Sequence, residues 1–275
     1  MENESKARFY VWPGGLKSIA GGSRLTIKLS RPWQQDIVVD SENCPFCKKP
    51  QTVLGSYFNG RWRLVQNAYT PFEFHGLVIP DTCWPKEKLR SLGDAEKITE
   101  AIEIGTKAAQ ERSSKPFFIT VHIGTFGGQN VSHLHYHVIY EIEGDGTPEF
   151  LEEIRQTYKN YPNLVILQKN NLSVAVGGIR AGQCFIFTEN DSAENGDLVA
   201  LIEKLVILGN RKFTSDQGLS PDYSLALYFN RGFQYGLYTP ALNHWGGYEN
   251  LALYTQRHFV APWLSETTAE YLKDS

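Results

Sequence analysis

Short stretches of alternating apolar and polar residues run through the first half of the chain, a pattern typical of half-buried β-strands. The alternation predicts strands over 62–65, 77–79, 117–123 and 131–142. Apolar residues recur at helical spacing over 86–112. We therefore expect several strands and one helix in this half.

The second half repeats this order of elements. A helix is predicted over 197–208, with strands on both sides of it. The strands span 164–176, 184–187, 225–229 and 250–254, and a glycine-containing loop spans 230–236. Leu77 and Cys184 are separated by nearly the same number of residues as His122 and Asn230. Such an offset indicates an internal duplication, although strand–helix–strand order is common enough to recur by chance.

The pattern as a whole predicts two similar units, each made of strands and a helix. We place the N-terminal domain at 1–150 and the C-terminal domain at 151–275. Only the first half carries a cluster of histidines, so the second half is expected mainly to complete the sheet.

Composition narrows the class of protein. The chain has 275 residues, of which 41% are hydrophobic and 21% charged, as in a globular protein. Its net charge of −3 gives no basic surface for nucleic acid, and no apolar run reaches the roughly 18 residues of a membrane span. The N-terminus lacks the layout of a signal peptide. We therefore expect a cytoplasmic protein, whose 4 cysteines are free thiols or metal ligands.

The segment Ser-His-Leu-His-Tyr-His-Val at 132–138 carries the candidate chemistry. Side chains of a strand alternate between faces, so His133, His135 and His137 are predicted to line one face. Imidazoles suit a core poorly, because each ring nitrogen needs a polar partner. A polar outer face or a metal site from the three histidines alone would give the same pattern. The glycine-rich stretch at 124–130 favours another interpretation, since backbone N–H groups in such a turn can hold an anion.

The segment 127–137 resembles the signature of the histidine-triad superfamily of nucleotide hydrolases and transferases. Val-Ile-Pro at 78–80 is similar to the end of the strand that precedes the helix in those proteins. Arg-Pro-Trp-Gln at 31–34, shortly before Cys-Pro-Phe-Cys at 44–47, resembles one branch, the galactose-1-phosphate uridylyltransferase-like proteins. The resemblance covers about 30–260. It implies an α+β fold, a duplicated triad fold in which each half is a curved antiparallel sheet with a helix and the two halves form a pseudo-dimer within the chain.

The resemblance also implies roles for single residues. The middle histidine of the family, here His135, attacks the α-phosphorus of a nucleotide and forms a nucleotidyl-histidine intermediate. Its other ring nitrogen is expected to donate to a carbonyl or similar acceptor, which fixes the tautomer. His137 is expected to lie against the phosphate and assist transfer to or from the leaving oxygen. The predicted nucleotide- and phosphate-binding residues are Arg31, His122, Gly128, Gln129 and Asn130.

Two positions depart from the pattern of the apparent relatives. Transferases of this branch usually have glutamine at the third triad position, whereas hydrolases have histidine, as His137 is here. His122 occupies a place where the family commonly has an asparagine that contacts the nucleotide. The first departure bears on the choice between transferase and hydrolase, and the second bears on ribose or phosphate contacts.

Cys44 and Cys47 are spaced as in many tetrahedral zinc sites, although a redox pair or two unrelated cysteines would look the same. Zinc-bearing relatives have another ligand about three positions after the Val-Ile-Pro strand and use the first triad histidine as well. The resemblance thus implies Cys83 and His133, which complete a closed Cys₃His site for a structural zinc ion. Cys184, in an apolar strand, is interpreted as a buried hydrophobic residue.

We therefore expect a nucleotidyltransferase that acts on a nucleoside diphosphate sugar or a related phosphoanhydride, with a sugar phosphate as an acceptor. A triad-type nucleotide hydrolase or dinucleoside polyphosphate phosphorylase is the alternative enzyme. A nucleotide-binding sensor without turnover is the non-enzymatic alternative, against which the intact triad argues. Neither nucleic acid nor a membrane is an expected partner. Monomer and homodimer both remain open, as does any role of His75.

Overall fold

The computed structural model describes residues 44–48, 52–67, 74–83, 95–124, 129, 131, 133–140, 146–177, 182–190, 193–214, 222–242 and 265–273. Its helices are α1 (Pro45–Lys48), α2 (Ala95–Gln110), α3 (Gly146–Asn160), α4 (Asn195–Lys212) and α5 (Ser265–Lys273). Its strands are β1 (Val53–Tyr57), β2 (Trp62–Gln66), β3 (Phe74–Pro80), β4 (Phe117–Ile123), β5 (Tyr136–Tyr140), β6 (Val165–Lys169), β7 (Leu172–Val176), β8 (Cys184–Thr188), β9 (Tyr223–Phe229) and β10 (Phe233–Pro240). No helix in these ranges is long and apolar enough to cross a membrane.

All ten strands form one antiparallel sheet in the order β1-β2-β3-β5-β4-β9-β10-β8-β7-β6. The first five positions belong to the first half of the chain and the last five to the second half. Counted inward from either edge, the strands of the two halves follow the same order, β1-β2-β3-β5-β4 and β6-β7-β8-β10-β9, and β4 pairs with β9 in the middle. The α+β class and the large antiparallel sheet predicted from the sequence are confirmed.

The sheet has two chemically different faces. On β4, Phe117, Ile119, Val121 and Ile123 are buried, whereas the residues between them are only half-buried. The buried set belongs to the main hydrophobic core, together with apolar residues of α2 and α4. Gly105 brings α2 close to the strands, because a Cβ there would lie 2.8 Å from the side chain of Ile119. We call this the core face and the opposite one the site face.

Several predicted boundaries were wrong. The stretch 164–176 is not one strand but the hairpin β6–β7, which turns at Asn170 with a positive φ of 50°. Strand β10 begins at Phe233, inside the predicted loop 230–236. Helices α3 and α5 had no sequence prediction. The strand expected over 250–254 lies outside the described residues.

Candidate active site and metal centre

The three histidines of the motif point away from the main core. Leu134, Tyr136 and Val138 belong to that core. The ring of His135 lies 5.0 Å from the ring of His137 on the other side. Strand β5 begins only at Tyr136 and is therefore shorter than predicted. The alternation of side chains nevertheless extends through the preceding residues, which confirms the predicted division of faces.

His135 has the tautomer that a nucleophile requires. Its Nδ1 lies 2.8 Å from the backbone oxygen of His133, and a carbonyl can only accept, so Nδ1 carries the proton. The unprotonated Nε2 therefore keeps its lone pair. Burial is the main cause that lowers the pKa of His135 to about 4; the neighbouring rings of His122 and His133 add to this effect and the contact with the His133 carbonyl opposes it. The ring is thus neutral at pH 7.

His137 lies half-buried on the site face, opposite Leu77 of β3 and Thr120 of β4. Its ring is 5.8 Å from the ring of His122, which places the predicted nucleotide contact beside the triad. The Nδ1 of His137 lies 2.7 Å from Nε2 of His75. The sequence analysis left the role of His75 open, because this contact depends on the pairing of β3 with β5.

The glycine-rich loop is anchored at both ends by Gln129. The backbone N–H of Gly124 donates to Oε1 of Gln129 at 2.8 Å, and the N–H of Gln129 donates to the oxygen of Gly124 at 3.0 Å. The buried Nε2 of Gln129 has no hydrogen-bond partner among the described residues. Gly124 has a φ of +77°, and a Cβ there would lie 2.0 Å from the carboxylate of Asp222, so the loop requires glycine at this position.

Four potential metal ligands come together next to the triad. The Sγ atoms of Cys44, Cys47 and Cys83 and a ring nitrogen of His133 all lie within 4.8 Å of one another. The sulfurs of Cys47 and Cys83 are 3.3 Å apart, and Nδ1 of His133 is 3.0 Å from the sulfur of Cys83. Ligands of a tetrahedral zinc ion stand roughly 3.5 Å apart, given bond lengths of about 2.0–2.3 Å. The four residues therefore fit a zinc ion.

Protonation at this cluster also suits a metal. His133 Nε2–H donates to the oxygen of Pro80 at 3.0 Å, which leaves Nδ1 available as the ligand atom. Burial lowers the pKa of His133 and keeps the ring neutral. Burial raises the pKa of Cys83, and the nearby sulfurs of Cys47 and Cys44 add to that rise. Thiolates packed this closely require a cation between them, which a zinc ion would supply.

The Cys₃His cluster and His135 share contacts. Phe46 lies on α1 between two of the cysteines, and its ring is 5.5 Å from His133 and 5.4 Å from His135. The backbone oxygen of His133 also accepts the hydrogen bond that orients His135. A shift of the cluster would therefore be transmitted to the ring of His135.

Three predicted binding residues, Arg31, Gly128 and Asn130, lie outside the described residues. Cys184 is fully buried in the core, away from the other cysteines, as expected. Its sulfur lies 3.4 Å from the oxygen of Gly182.

No family model matches the sequence, and a comparison with the curated proteins finds no match. Solved structures are similar in fold. A GalT-like protein from Arabidopsis thaliana has a TM-score of 0.60 and 15% identity, over 86% of this chain and 94% of that one. An ADP-glucose phosphorylase from Arabidopsis thaliana with bound ADP-glucose has a TM-score of 0.60 and 13% identity, over 84% and 89%. A uridylyltransferase has a TM-score of 0.62 and 16% identity, over 90% and 94%.

Proposed function

We propose that this chain, which shares the fold of the galactose-1-phosphate uridylyltransferase-like branch of the histidine-triad superfamily, is an enzyme of nucleotidyl transfer. One observation carries the proposal. His135 is buried and neutral, and its Nδ1–H donates to the His133 carbonyl, so its Nε2 keeps the lone pair that a nucleophile needs. A sensor that only binds nucleotides would need no such tautomer. The enzyme would form a nucleotidyl-His135 intermediate.

In the first step, the Nε2 lone pair of His135 attacks the α-phosphorus. The bond from phosphorus to the bridging oxygen breaks, and its electron pair leaves with the departing phosphate group. Gln129 suits the binding of the phosphoryl oxygens, because its buried Nε2 has no other described partner and can donate to them. Gly128 and Asn130 would complete this loop, and His137 would handle the proton of the leaving oxygen.

We further propose that Cys44, Cys47, Cys83 and His133 hold a structural zinc ion. Their spacing and the His133–Pro80 hydrogen bond support this ligand set. The ion would supply a cross-link between α1, the end of β3 and the triad. By fixing His133 it would also fix the carbonyl that orients His135. All the chemistry of the transfer would be left to the histidines.

The proposed substrate is a nucleoside diphosphate sugar, with a sugar phosphate as acceptor, in the cytoplasm. The fold shared with a uridylyltransferase and with a phosphorylase that binds ADP-glucose supports this class. Arg31 and His122 would contact the nucleotide, and the position of His122 beside His137 supports its role.

We also propose that the chain is an internal duplication, divided at residue 150 within α3, because the strand order is the same from both edges of the sheet.

A second candidate is a nucleotide hydrolase or phosphorylase. The observation that favours it is His137, whose contact with His75 makes a titratable pair at the third triad position. Glutamine, usual in the transferases, could not accept a proton from attacking water. The overall architecture supports the transferase, since it shapes the pocket for the acceptor.

Product partitioning tests the proposal. Single nucleotide sugars would be supplied with no acceptor, with inorganic phosphate, or with a hexose-1-phosphate, and the products would be separated. Transfer predicts a new nucleotide sugar and little nucleoside monophosphate once the hexose-1-phosphate is present. Monophosphate release at one rate in all three mixtures would replace the transferase by a hydrolase. A nucleoside diphosphate formed only with inorganic phosphate would indicate a phosphorylase.

A further inference from the structure

A buried histidine that the reaction scheme does not use lies behind the triad. Only 3% of His75 is exposed, and its Nε2 lies 2.7 Å from Nδ1 of His137. The side-chain nitrogen of Asn67 lies 3.2 Å from Nδ1 and 3.1 Å from Nε2 of His75. A contact of 2.7 Å between two ring nitrogens requires a proton on one of them and a lone pair on the other. The two rings therefore share a proton.

The sheet pairing makes this contact. His75 lies opposite Ile139 of β5, and Leu77 lies opposite His137, so the two imidazoles are diagonal neighbours on the site face. If His75 only filled space in the fold, a hydrogen bond with Asn67, at the end of the neighbouring strand, would be enough to satisfy its ring. His75 instead contacts the half-exposed His137, whose ring is 5.0 Å from His135. The buried ring is thus connected to the solvent side of the site through one hydrogen bond.

We propose that His75 is a positioning residue that shares a proton with His137, so that the two rings act as one acid–base pair on the oxygen that leaves or attacks phosphorus. This inference rests on the proposed nucleotidyl-His135 intermediate. His75 itself does not touch the substrate. It acts by accepting the Nδ1–H of His137 when that ring becomes an imidazolium, which spreads the charge over two rings.

The proton balance is simple for the second step. The lone pair of an attacking water forms the new bond to phosphorus. The phosphorus–Nε2 bond of His135 breaks, and its electron pair returns to Nε2. One proton of the water passes to Nε2 of His137, while Nδ1–H of His137 remains hydrogen-bonded to Nε2 of His75. The positively charged pair of His75 and His137 can then donate this proton to the leaving oxygen in the first step of the next catalytic cycle.

Asn67 can support the pair in both of its protonation states. While its Nε2 accepts from Nδ1–H of His137, a neutral His75 carries its own proton on Nδ1, beside the amide of Asn67. The amide can turn to present its oxygen to that N–H, since both amide ends occupy similar positions. The same oxygen accepts from Nδ1–H when the shared proton lies on His75. The arrangement favours an attacking oxygen that arrives with a proton. Water is such a nucleophile, whereas a sugar phosphate brings an anionic oxygen of its own.

Other groups that can carry charge also face His137. His122 of β4 and His135 present their rings to it, at 5.8 Å and 5.0 Å between centroids. Arg63 of β2 lies on the same face, because it pairs with Ile79 two residues from Leu77. A charge on any of them would shift the acid–base behaviour of the pair. The matched control below therefore changes His122, which contacts the same ring without the 2.7 Å bond.

The test follows the decay of isolated nucleotidyl-enzyme in water as a function of pH. We expect His75→Gln and His75→Phe to slow the decay about 10- to 100-fold at its optimum, as for the loss of a hydrogen bond to a charged group. The acidic limb of the profile should move to lower pH, because the His137 imidazolium loses its acceptor. His75→Gln should keep part of the rate, since its amide oxygen can still accept. His122→Gln should leave the acidic limb closer to that of the unaltered protein.

A double-mutant comparison separates this role from packing. In a His137→Gln background, the change His75→Gln should have no further effect on decay. Equal slowing in both backgrounds, or an unchanged pH profile in folded His75 variants, would overturn the inference. Thermal melts establish which variants are folded. If the unaltered protein forms no nucleotidyl-enzyme, the proposed function itself fails and takes this inference with it.

Discussion

The site face of the sheet differs sharply between the two halves of the molecule. In the first half, β3, β5 and β4 present His75, His137 and His122 on this face. In the second half, β8 and β10 present Phe185 and Tyr235, which pack under Phe150 of α3. The strands occupy equivalent places in the sheet order. One backbone arrangement therefore supports a cluster of histidines in one half and a hydrophobic layer in the other.

The strand register shows which positions correspond in the two halves. His137 lies opposite Thr120 of the central strand β4, whereas Leu237 lies opposite Ala226 of the central strand β9. A leucine cannot move a proton, and α3 packs beside it against β8. The comparison teaches that the fold provides positions, and that the side chains on the site face distinguish the two halves. Substitutions of the site-face residues named here should therefore affect activity in the first half and stability in the second.

The largest expected effect is at His135, the proposed nucleophile. His135→Asn should lower kcat/KM by roughly 10⁴-fold or more, because the proposed intermediate forms on its Nε2. The fold should persist, since the change removes no apolar core side chain. Steady-state rates with a nucleotide sugar and a thermal melt check both parts. Substantial residual activity in a folded variant would place the nucleophile elsewhere.

The matched change in the second half is Phe187→Ala. Phe187 is 1% exposed and stacks on Tyr158 of α3 at 5.3 Å. Its truncation should cost about 3–5 kcal/mol of unfolding free energy. The activity of the molecules that remain folded should stay close to normal. Denaturant unfolding and a titration of active sites measure the two quantities, and a selective loss of kcat in stable protein would break the comparison.

Loss of a proposed metal ligand should have an intermediate effect. Cys83→Ser should lower the zinc content from about one per chain, together with the thermal stability. The free energy of unfolding should fall by about 2.7 kcal/mol when the concentration of free zinc is 100 times its Kd. Cys184→Ala is the control, because Cys184 is buried in the core apart from the ligand cluster. Full zinc content in Cys83→Ser, by elemental analysis, would remove this residue from the ligand set.

The smallest effect on stability is expected for Asp197, which makes an exposed contact in the second half. Hydrogen bonds from Asn170 and Lys169 lower the pKa of Asp197. A lowered pKa contributes stability at neutral pH that is lost as the pH falls through the titration of the carboxyl group. Asp197→Asn should therefore melt slightly lower at pH 7, and this difference should shrink as the pH falls through the titration of the carboxyl group. A large loss of activity in this variant would contradict the division of roles.

Local sequence explains part of this site. The face shared by His133, His135 and His137 follows from the alternation of extended backbone, which holds even before β5 begins. The approach of Cys83 to the other cysteines required the resemblance, because its spacing alone does not identify a ligand. The structure places its sulfur 3.3 Å from that of Cys47.

Long-range pairing explains what the sequence analysis missed. The contact of His75 with His137 exists only because β3 lies beside β5. The requirement for glycine at 124 comes from Asp222, at the start of a strand in the other half. Strand β10 was missed because its residues follow a turn with glycine, and its strand character depends on pairing with β8 and β9. Such features are properties of the assembled sheet rather than of any window of sequence.

The central claim is that His135 carries the nucleotidyl group, and a mass measurement tests it most directly. The protein would be mixed with ADP-glucose or UDP-glucose, quenched, and weighed intact, then digested to map the modified peptide. The account predicts a gain of one nucleoside monophosphate on His135, labile in acid and stable in base, and no gain in His135→Asn. An adduct that persists in that variant, or that maps to His137 or another residue, would contradict the account.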